Sequence, residues 1–310
     1  MTPTLTIFSA PKPFTQPHIR VIQRNAIQSW KQLGQEVEVV LVGSEEGIAE
    51  TAAELGVLHM ADVRLNASGT PMVNSIFELA RQATLSPLLA YINADILVQP
   101  DFLAGACQAA ARSERFLLVG QRWDLEVNTP LDFGPGWLNR FQTDLKARGR
   151  RHTRGGSDYF IFPRVCFTTI PGFAIGRAGW DNWMIYAARR QGWPCVDATE
   201  TIQIIHQDHD YGHLPNGQAH YHLPETYENV RLAGGRRTIF TLADTDYRLV
   251  NGQFEPARRT WPKIKRDLET FPLVKLHSVG LAQVAYAVFH PDLAYHDFRK
   301  WLRYGRGGVE

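Results

Sequence analysis

Three short stretches of this 310-residue chain hold side chains whose types and spacing suit chemistry. Asn93-Ala94-Asp95 follows the apolar run Leu88 to Ile92 directly and precedes Ile96-Leu97-Val98. An i, i+2 pair on extended chain projects to one side. One carboxylate can therefore reach a divalent cation while the neighbouring amide holds a ribose or a metal-bound water. An Asx turn closing a strand accounts for the same three residues equally well.

The second stretch pairs Gly155-Gly156-Ser157-Asp158-Tyr159-Phe160 with Gly179-Trp180-Asp181-Asn182-Trp183. Two glycines ahead of a strand permit close backbone approach to a ligand. Asp181 stands at the expected start of a helix that stops at Gly192, where N-capping is its simplest use. Trp180 and Trp183 either pack in the core or stack on a ring. The third stretch runs from Ile202 to His213, where a strand delivers His206, Asp208, His209, Asp210 and His213 into a polar loop. That is a metal-ligand composition. Its spacing matches neither His-Glu-x-x-His nor related zinc patterns, which argues against a dedicated zinc hydrolase.

Those residues need elements to hold them, and the first hundred positions supply an alternation. Leu5 to Phe8 is a short β-prone run closed by Ala10-Pro11-Lys12-Pro13. Over 18–33, Ile19, Ile22, Ala26, Trp30 and Leu33 fall at helical spacing. Val37 to Val42 is a near-continuous apolar run, as in a strand covered on both faces. A helix over 46–55 and a strand over 57–60 follow. Thr70-Pro71 reads as an N-cap with proline at the first helical position, opening a helix that carries Val73, Ile76, Phe77 and Ala80. Leu88 to Ile92 is the fourth strand. Strand alternating with helix predicts βαβ crossovers and a parallel sheet, whose ligands sit beyond the carboxyl ends of the strands.

Composition bounds the rest. Hydrophobic residues make up 44% and charged residues 21%, and the net charge is +2, a globular usage that asks for no nucleic-acid partner. Three cysteines lie far apart without a Cys-x-x-Cys pair, so no disulfide framework is expected and a cytoplasmic setting fits. No secretory leader is read at the amino terminus. Phe271 to His290 is apolar but broken by Lys275, His277 and Gln283. It reads as a core-packing helix or as one lying in a membrane interface, giving the carboxyl-terminal region a peripheral membrane contact. The basic clusters at 146–151 and 299–306 read as solvated surface, with contact to a diphosphate or to anionic lipid as the alternative. Neither a Gly-x-Gly-x-x-Gly after the first strand nor a P-loop is present.

Taken in order, these stretches resemble the GT-A fold glycosyltransferases, particularly the large inverting group called family 2. That group carries a strand-end Asp-x-Asp, a glycine-rich loop, an acidic x-Glu-Asp motif heading a helix, and a late metal-binding histidine. Here stand Asn93-Ala94-Asp95, Arg154-Gly155-Gly156-Ser157, Gly179-Trp180-Asp181 and Ile205-His206, spread over residues 4–213. Asn93 replaces the first acidic residue, leaving Asp95 as the better metal ligand, and Trp180 replaces the usual Glu.

The resemblance implies an α/β protein of the GT-A fold, with a mostly parallel central sheet flanked by helices and a mainly helical carboxyl-terminal extension. It implies a catalytic domain over 1–224, with a donor half to about 122 and an acceptor half over 123–224, and an extension over 225–310. By resemblance, Asp181 is the general base, and Asp95 and His206 hold Mn²⁺ or Mg²⁺. The nucleotide-sugar donor, a UDP-sugar as first expectation, would meet Ala10, Pro11 and Lys12 after the first strand, with Asp62 and Thr70. Its diphosphate would meet Asn93, Ala94, Asp95, Gly155 and Gly156. Asp158, Trp180, Trp183 and His209 would face an acceptor of unspecified class, sugar, lipid-linked or small molecule. Two alternatives are kept: a non-catalytic nucleotide-sugar or carbohydrate-binding protein of the same fold, and a sugar nucleotidyltransferase. The latter would need a Gly- and Arg-rich signature that Ser9-Ala10-Pro11-Lys12-Pro13 lacks.

Overall fold

A computed structural model describes residues 2–155, 157–209 and 223–304. Gly156 and the loop carrying Asp210 and His213 lie outside the described residues. In chain order the first half holds β1 (Leu5–Ser9), α1 (Pro17–Lys31), β2 (Val37–Val42), α2 (Ile48–Leu55), β3 (Leu58–Met60), α3 (Val73–Ala83), β4 (Leu88–Ile92), β5 (Ile96–Leu97), α4 (Asp101–Ala110), β6 (Leu117–Val119) and β7 (Arg122–Leu125). Then come α5 (Trp137–Arg148), β8 (Arg150–Arg151), β9 (Tyr159–Pro163), α6 (Trp180–Arg190), β10 (Cys195–Asp197) and β11 (Ile204–Gln207). The chain continues through α7 (Pro224–Ala233), β12 (Tyr247–Val250), β13 (Gln253–Pro256), α8 (Trp261–Val274), α9 (Val279–Phe289) and α10 (Pro291–Tyr304).

Nine strands form the main sheet in the order β13-β12-β10-β6-β9-β4-β1-β2-β3. β1 pairs in parallel with β2 and β4, β2 with β3, and β10 with β6 and β12. β9 runs antiparallel between β4 and β6, a departure from simple βαβ alternation. Every residue of β1, β4 and β9 is buried, as expected where both sheet faces are covered. α1, α2 and α4 cover one face over Ile7, Leu41 and Ala90, while α3 and α6 cover the other over Phe8, Val42 and Tyr91. α1 starts with proline in its first turn and buries Ile19, Ile22, Ala26 and Trp30 on the expected stripe.

Two expectations need correction. Thr70-Pro71 caps no helix, because Pro71 bridges to Leu65 and Met72 to Ala174, which holds the segment extended until α3 begins at Val73. The region after 224 is mainly helical, yet it also adds β12 and β13 to the main sheet beside β10. Among the described residues, no helix is long and apolar enough to cross a membrane.

A second, four-stranded sheet, β5-β11-β7-β8, stands beyond β4 and packs on α5 through Leu97, Leu125, Ile205, Phe141 and Leu145. It sets His206 opposite Ile96 on one side and opposite Asp124 on the other.

Candidate active site

β4 ends at Ile92, and the chain then carries Asn93 and Asp95 past the carboxyl edge of the sheet into β5. Asn93 and Asp95 take separate tasks. The Asn93 side-chain amide donates to Asp158 Oδ1 at 2.9 Å and accepts at its Oδ1 from the Tyr91 hydroxyl at 3.1 Å, while its backbone N–H donates to the Asp158 carbonyl at 3.0 Å. The backbone carbonyl of Asp95 accepts from both the backbone and side-chain nitrogens of Gln207, each at 3.1 Å. That pairing fixes the loop against β11.

The Asp95 carboxylate faces two imidazoles. His209 Nε2 lies 3.1 Å and His206 Nε2 3.9 Å from its Oδ2. One ligand atom from each of these three residues falls within a 4.8 Å sphere of mutual distances. Asp124, Asp208 and His206 form a second such group. His206 is common to both, with Nδ1 3.3 Å from Asp124 Oδ1 and 3.7 Å from Asp208 Oδ1. Asp124 also takes His152 Nδ1 at 2.8 Å and Arg122 Nε at 2.9 Å, and Arg122 reaches on to Asp158 at 2.9 Å. Buried carboxylates survive ionised only with such partners.

The charges follow from these contacts. Burial by itself would raise the Asp95 pKa, but the His209 hydrogen bond and the charges of His206 and Lys12 outweigh it and hold the carboxyl below the usual range. Asp124 is likewise held low against its burial, by His206, His152 and Arg122. For His206, burial favours the neutral ring, and Asp124 and Asp95 overcome this and raise its pKa. Lys12 goes the other way: burial lowers its pKa, with Asp95 opposing. Its loop is clamped by Gln23, whose side chain accepts from the Lys12 N–H at 2.7 Å and donates to the Lys12 carbonyl at 2.9 Å.

Among the described residues Asp95 Oδ1 is buried with no hydrogen-bond partner, while the buried His206 Nδ1 has the Asp124 carboxylate as its charge partner at 3.3 Å. An orphaned carboxylate oxygen is costly unless something positive meets it. With two imidazoles beside it, the donor set is mixed oxygen and nitrogen, which suits Mn²⁺ or Mg²⁺ better than Ca²⁺.

Asp181 lies in the first turn of α6. Gly179, at φ 108°, turns the chain into the helix and donates its N–H to Asp181 Oδ1 at 3.3 Å. Burial pushes the Asp181 carboxyl up to about 6, partly offset by the N–H groups of Asn182 and Gly179 and reinforced by Asp158. The Tyr91 hydroxyl stands within the field of Asp95, Asp158 and Asp181, which add to burial in raising its pKa. The three carboxylates therefore share one neighbourhood around the end of β4.

Other expected residues go elsewhere. The Trp180 ring is buried, 5.0 Å from Tyr91, 5.5 Å from Phe160 and 6.5 Å from Phe77, so it serves packing rather than stacking on a ligand ring. Trp183, three residues on, packs on the same core against Phe173 at 5.4 Å and Phe167 at 6.5 Å, and it lines a cavity of about 240 Å³ with Tyr186, Arg190 and His277. His209, expected on the acceptor side, stands beside Asp95. Asp62 is exposed beyond β3 at the sheet's edge, and Thr70 lies by Asn66 and Glu225. Ala10 packs on the core and Pro11 is buried. Gly155 is exposed, with no atom but the Thr153 hydroxyl near where a Cβ would stand.

Arg122, Asp124 and His152 complete the cluster without having been singled out from the sequence, whereas Asp208 belongs to the metal-ligand composition read after Ile202. The available signal was Arg122-Trp123-Asp124 following an apolar strand, the same arrangement that drew attention to Asn93.

No family model and no curated protein matches the chain. Among solved structures it is similar to glucosyl-3-phosphoglycerate synthase from Mycobacterium tuberculosis in complex with Mn²⁺, UDP and phosphoglyceric acid. The identity is 13%, over 84% of this chain and 87% of that one, at a TM-score of 0.48. It is also similar to a mannosyltransferase from Pyrobaculum calidifontis in complex with GDP-Man and Mn²⁺, with 12% identity over 100% of this chain and 84% of that one and a TM-score of 0.46. At these identities and scores the likeness is one of general layout, and each side chain's role has to rest on its own geometry.

Proposed function

We propose that this protein is a metal-dependent glycosyltransferase that moves a sugar from a nucleoside-diphosphate donor to an acceptor hydroxyl with inversion. The observation that carries the reading is the Asp95 carboxylate beyond the carboxyl end of β4, with its buried Oδ1 unpartnered among the described residues and His206 and His209 beside Oδ2. Ligands of open, mostly parallel sheets bind at that end of the strands. Asp95, His206 and His209 would hold the cation, and Asp124 and His152 orient His206 from behind. When bound, Mn²⁺ or Mg²⁺ supplies charge to the departing diphosphate, where negative charge develops. Lys12 adds a second cation on the β1 side of the same site. Asp181 takes the proton of the acceptor hydroxyl as that oxygen bonds to the anomeric carbon and the bond from carbon to the diphosphate oxygen breaks. A base with a pKa raised to about 6 is ionised at neutral pH and still basic enough for this transfer. Inversion is the outcome of that single displacement, because the acceptor oxygen forms its bond on the face opposite the departing diphosphate.

Thermal denaturation with nucleotide and metal tests the reading. UDP or GDP with Mn²⁺ should raise the Tm more than either component alone, because a ligand that binds only the native state stabilises it by about 2.7 kcal/mol at a hundred times its Kd. A Tm that no nucleoside diphosphate moves, with or without Mn²⁺, sinks the transferase reading.

A further inference from the structure

The last three helices carry an apolar surface that their own packing leaves uncovered. Among the described residues, twelve of the seventeen large hydrophobic side chains left exposed lie between positions 261 and 298. On α8, Trp261, Ile264, Leu268 and Phe271 recur at spacings of three and four, which places them on one stripe, and they are 74%, 37%, 55% and 51% exposed. α9 contains no Asp, Glu, Lys or Arg, and its Leu281, Val284 and Val288 are exposed. α10 exposes Tyr295 and Phe298, with the Arg299 guanidinium 5.8 Å from the Tyr295 ring centre. α8 packs on α9 and α9 on α10, so the stripes belong to adjoining helices. Apolar surface gathered in this way marks an interaction face.

The sequence of this region is basic. Residues 258–310 hold ten lysines and arginines against five acidic residues, in a chain whose totals are 33 and 31, so the remainder is net negative. The acids of α8 are paired: Asp267, with its side chain 43% exposed, meets Lys263 at 2.7 Å, and buried Glu269 meets Arg266 and His290. Lys275 and Arg299 stay exposed among the apolar residues.

We infer that α8, α9 and α10 form a docking face for the surface of an anionic lipid bilayer. The uncharged face of α9 and the α8 stripe enter the boundary between headgroups and acyl chains, while Lys275 and Arg299 meet the lipid phosphates. Charge complementarity decides the occupant. A second copy meeting this face by a two-fold axis would set like-charged patches against each other, whereas an anionic bilayer offers negative charge above hydrocarbon. The aromatic residues Trp261 and Tyr295 suit the interface between them. The inference is independent of the transferase reading.

Co-sedimentation of the full chain with phosphatidylcholine vesicles, with and without phosphatidylserine, tests it. Binding is expected to the mixed vesicles, weaker binding to phosphatidylcholine alone, and a loss of the difference at high salt. Lys275→Gln and Arg299→Gln should each lower partitioning to the mixed vesicles roughly fivefold, and Val284→Asp should remove binding to both. The glutamines are surface changes that leave the fold in place, so they keep the test informative where Val284→Asp fails to fold. Equal binding of wild type and both glutamine variants, or no binding to either vesicle by chain with an intact thermal transition, overturns the inference. So does concentration-dependent dimerisation in the absence of lipid that Val284→Asp abolishes.

Discussion

Asn93 and Asp158 are joined twice, by the Asn93 amide on Asp158 Oδ1 at 2.9 Å and by the Asn93 N–H on the Asp158 carbonyl at 3.0 Å. The pair ties the end of β4 to the start of β9 and explains why an amide stands at the first position of the Asn93-Ala94-Asp95 triplet. An acid there would face Asp158 across a hydrogen-bond distance in a buried setting, with Asp158 only 7% exposed.

Asn93→Asp should therefore destabilise the protein in a pH-dependent way. Two carboxylates at that separation cannot both ionise cheaply, so one of them has its pKa raised. Below that pKa the pair shares a proton and the bond is restored. Above it the variant loses the bond and gains repulsion, at a cost of about 1–3 kcal/mol. The Tm deficit against wild type should grow from pH 5 to pH 8. A deficit that stays flat with pH would show that Asp158 does not feel the new charge.

Asp181→Asn should cut transfer about 10²–10⁴-fold, the usual contribution of a general base, while leaving nucleotide binding intact. In the wild type, kcat/KM should fall on the acid side with an apparent pKa near 6, because the base must be ionised. Stability should show the linked sign. The folded-state pKa is raised above the ordinary carboxyl value, so the native state holds the proton more tightly than the unfolded chain. Stability is then lost as pH rises through the window from about 4 to about 6. The asparagine carries no such term, so the Tm of the variant minus that of the wild type should increase across that window. A difference independent of pH would separate Asp181 from the assigned titration.

How much of this was written in the sequence depends on where the signal lies. β2 and β4 are continuous apolar runs closed by turn residues, and the observed bounds, Val37–Val42 and Leu88–Ile92, are those read from the pattern. Asp95 drew attention as a polar group directly after a buried strand, and His206 as part of a metal-ligand composition after Ile202; the structure sets His206 Nε2 3.9 Å from Asp95 Oδ2. Asp124 was not legible, because β7 is only partly buried along Arg122, Trp123 and Asp124 and shows no clean period. Trp180 could pack or stack, and only the arrival of Tyr91 and Phe160 from β4 and β9 decides it. The antiparallel insertion of β9 between β4 and β6 is a long-range pairing that no local pattern records.

Trp180→Ala should separate packing from binding. The ring fills the space between α6 and the β4–β9 face, and removing a buried aromatic of this size costs about 3–5 kcal/mol. Urea denaturation should show that loss, with nucleotide affinity per folded molecule unchanged. Unaltered stability together with weakened acceptor binding would return Trp180 to the acceptor side.

The shared histidine sets the last expectation. His206 can join Asp95 and His209 through Nε2 or Asp124 and Asp208 through Nδ1. Asp124 is better suited to hold the ring than to bind the cation, since His152 and Arg122 already occupy its oxygens. Asp208 is likewise engaged by Arg150, whereas Asp95 Oδ1 has no hydrogen-bond partner among the described residues. His209→Ala should therefore weaken Mn²⁺ binding more than Asp208→Asn does. Asp124→Asn should lower it by about 10–100-fold, the usual effect of losing a residue that orients a metal-binding histidine. Calorimetric titration of Mn²⁺ in the presence of UDP reads all three variants. The reverse order, with Asp208→Asn the more damaging, would move the cation to the Asp124 side of the His206 ring.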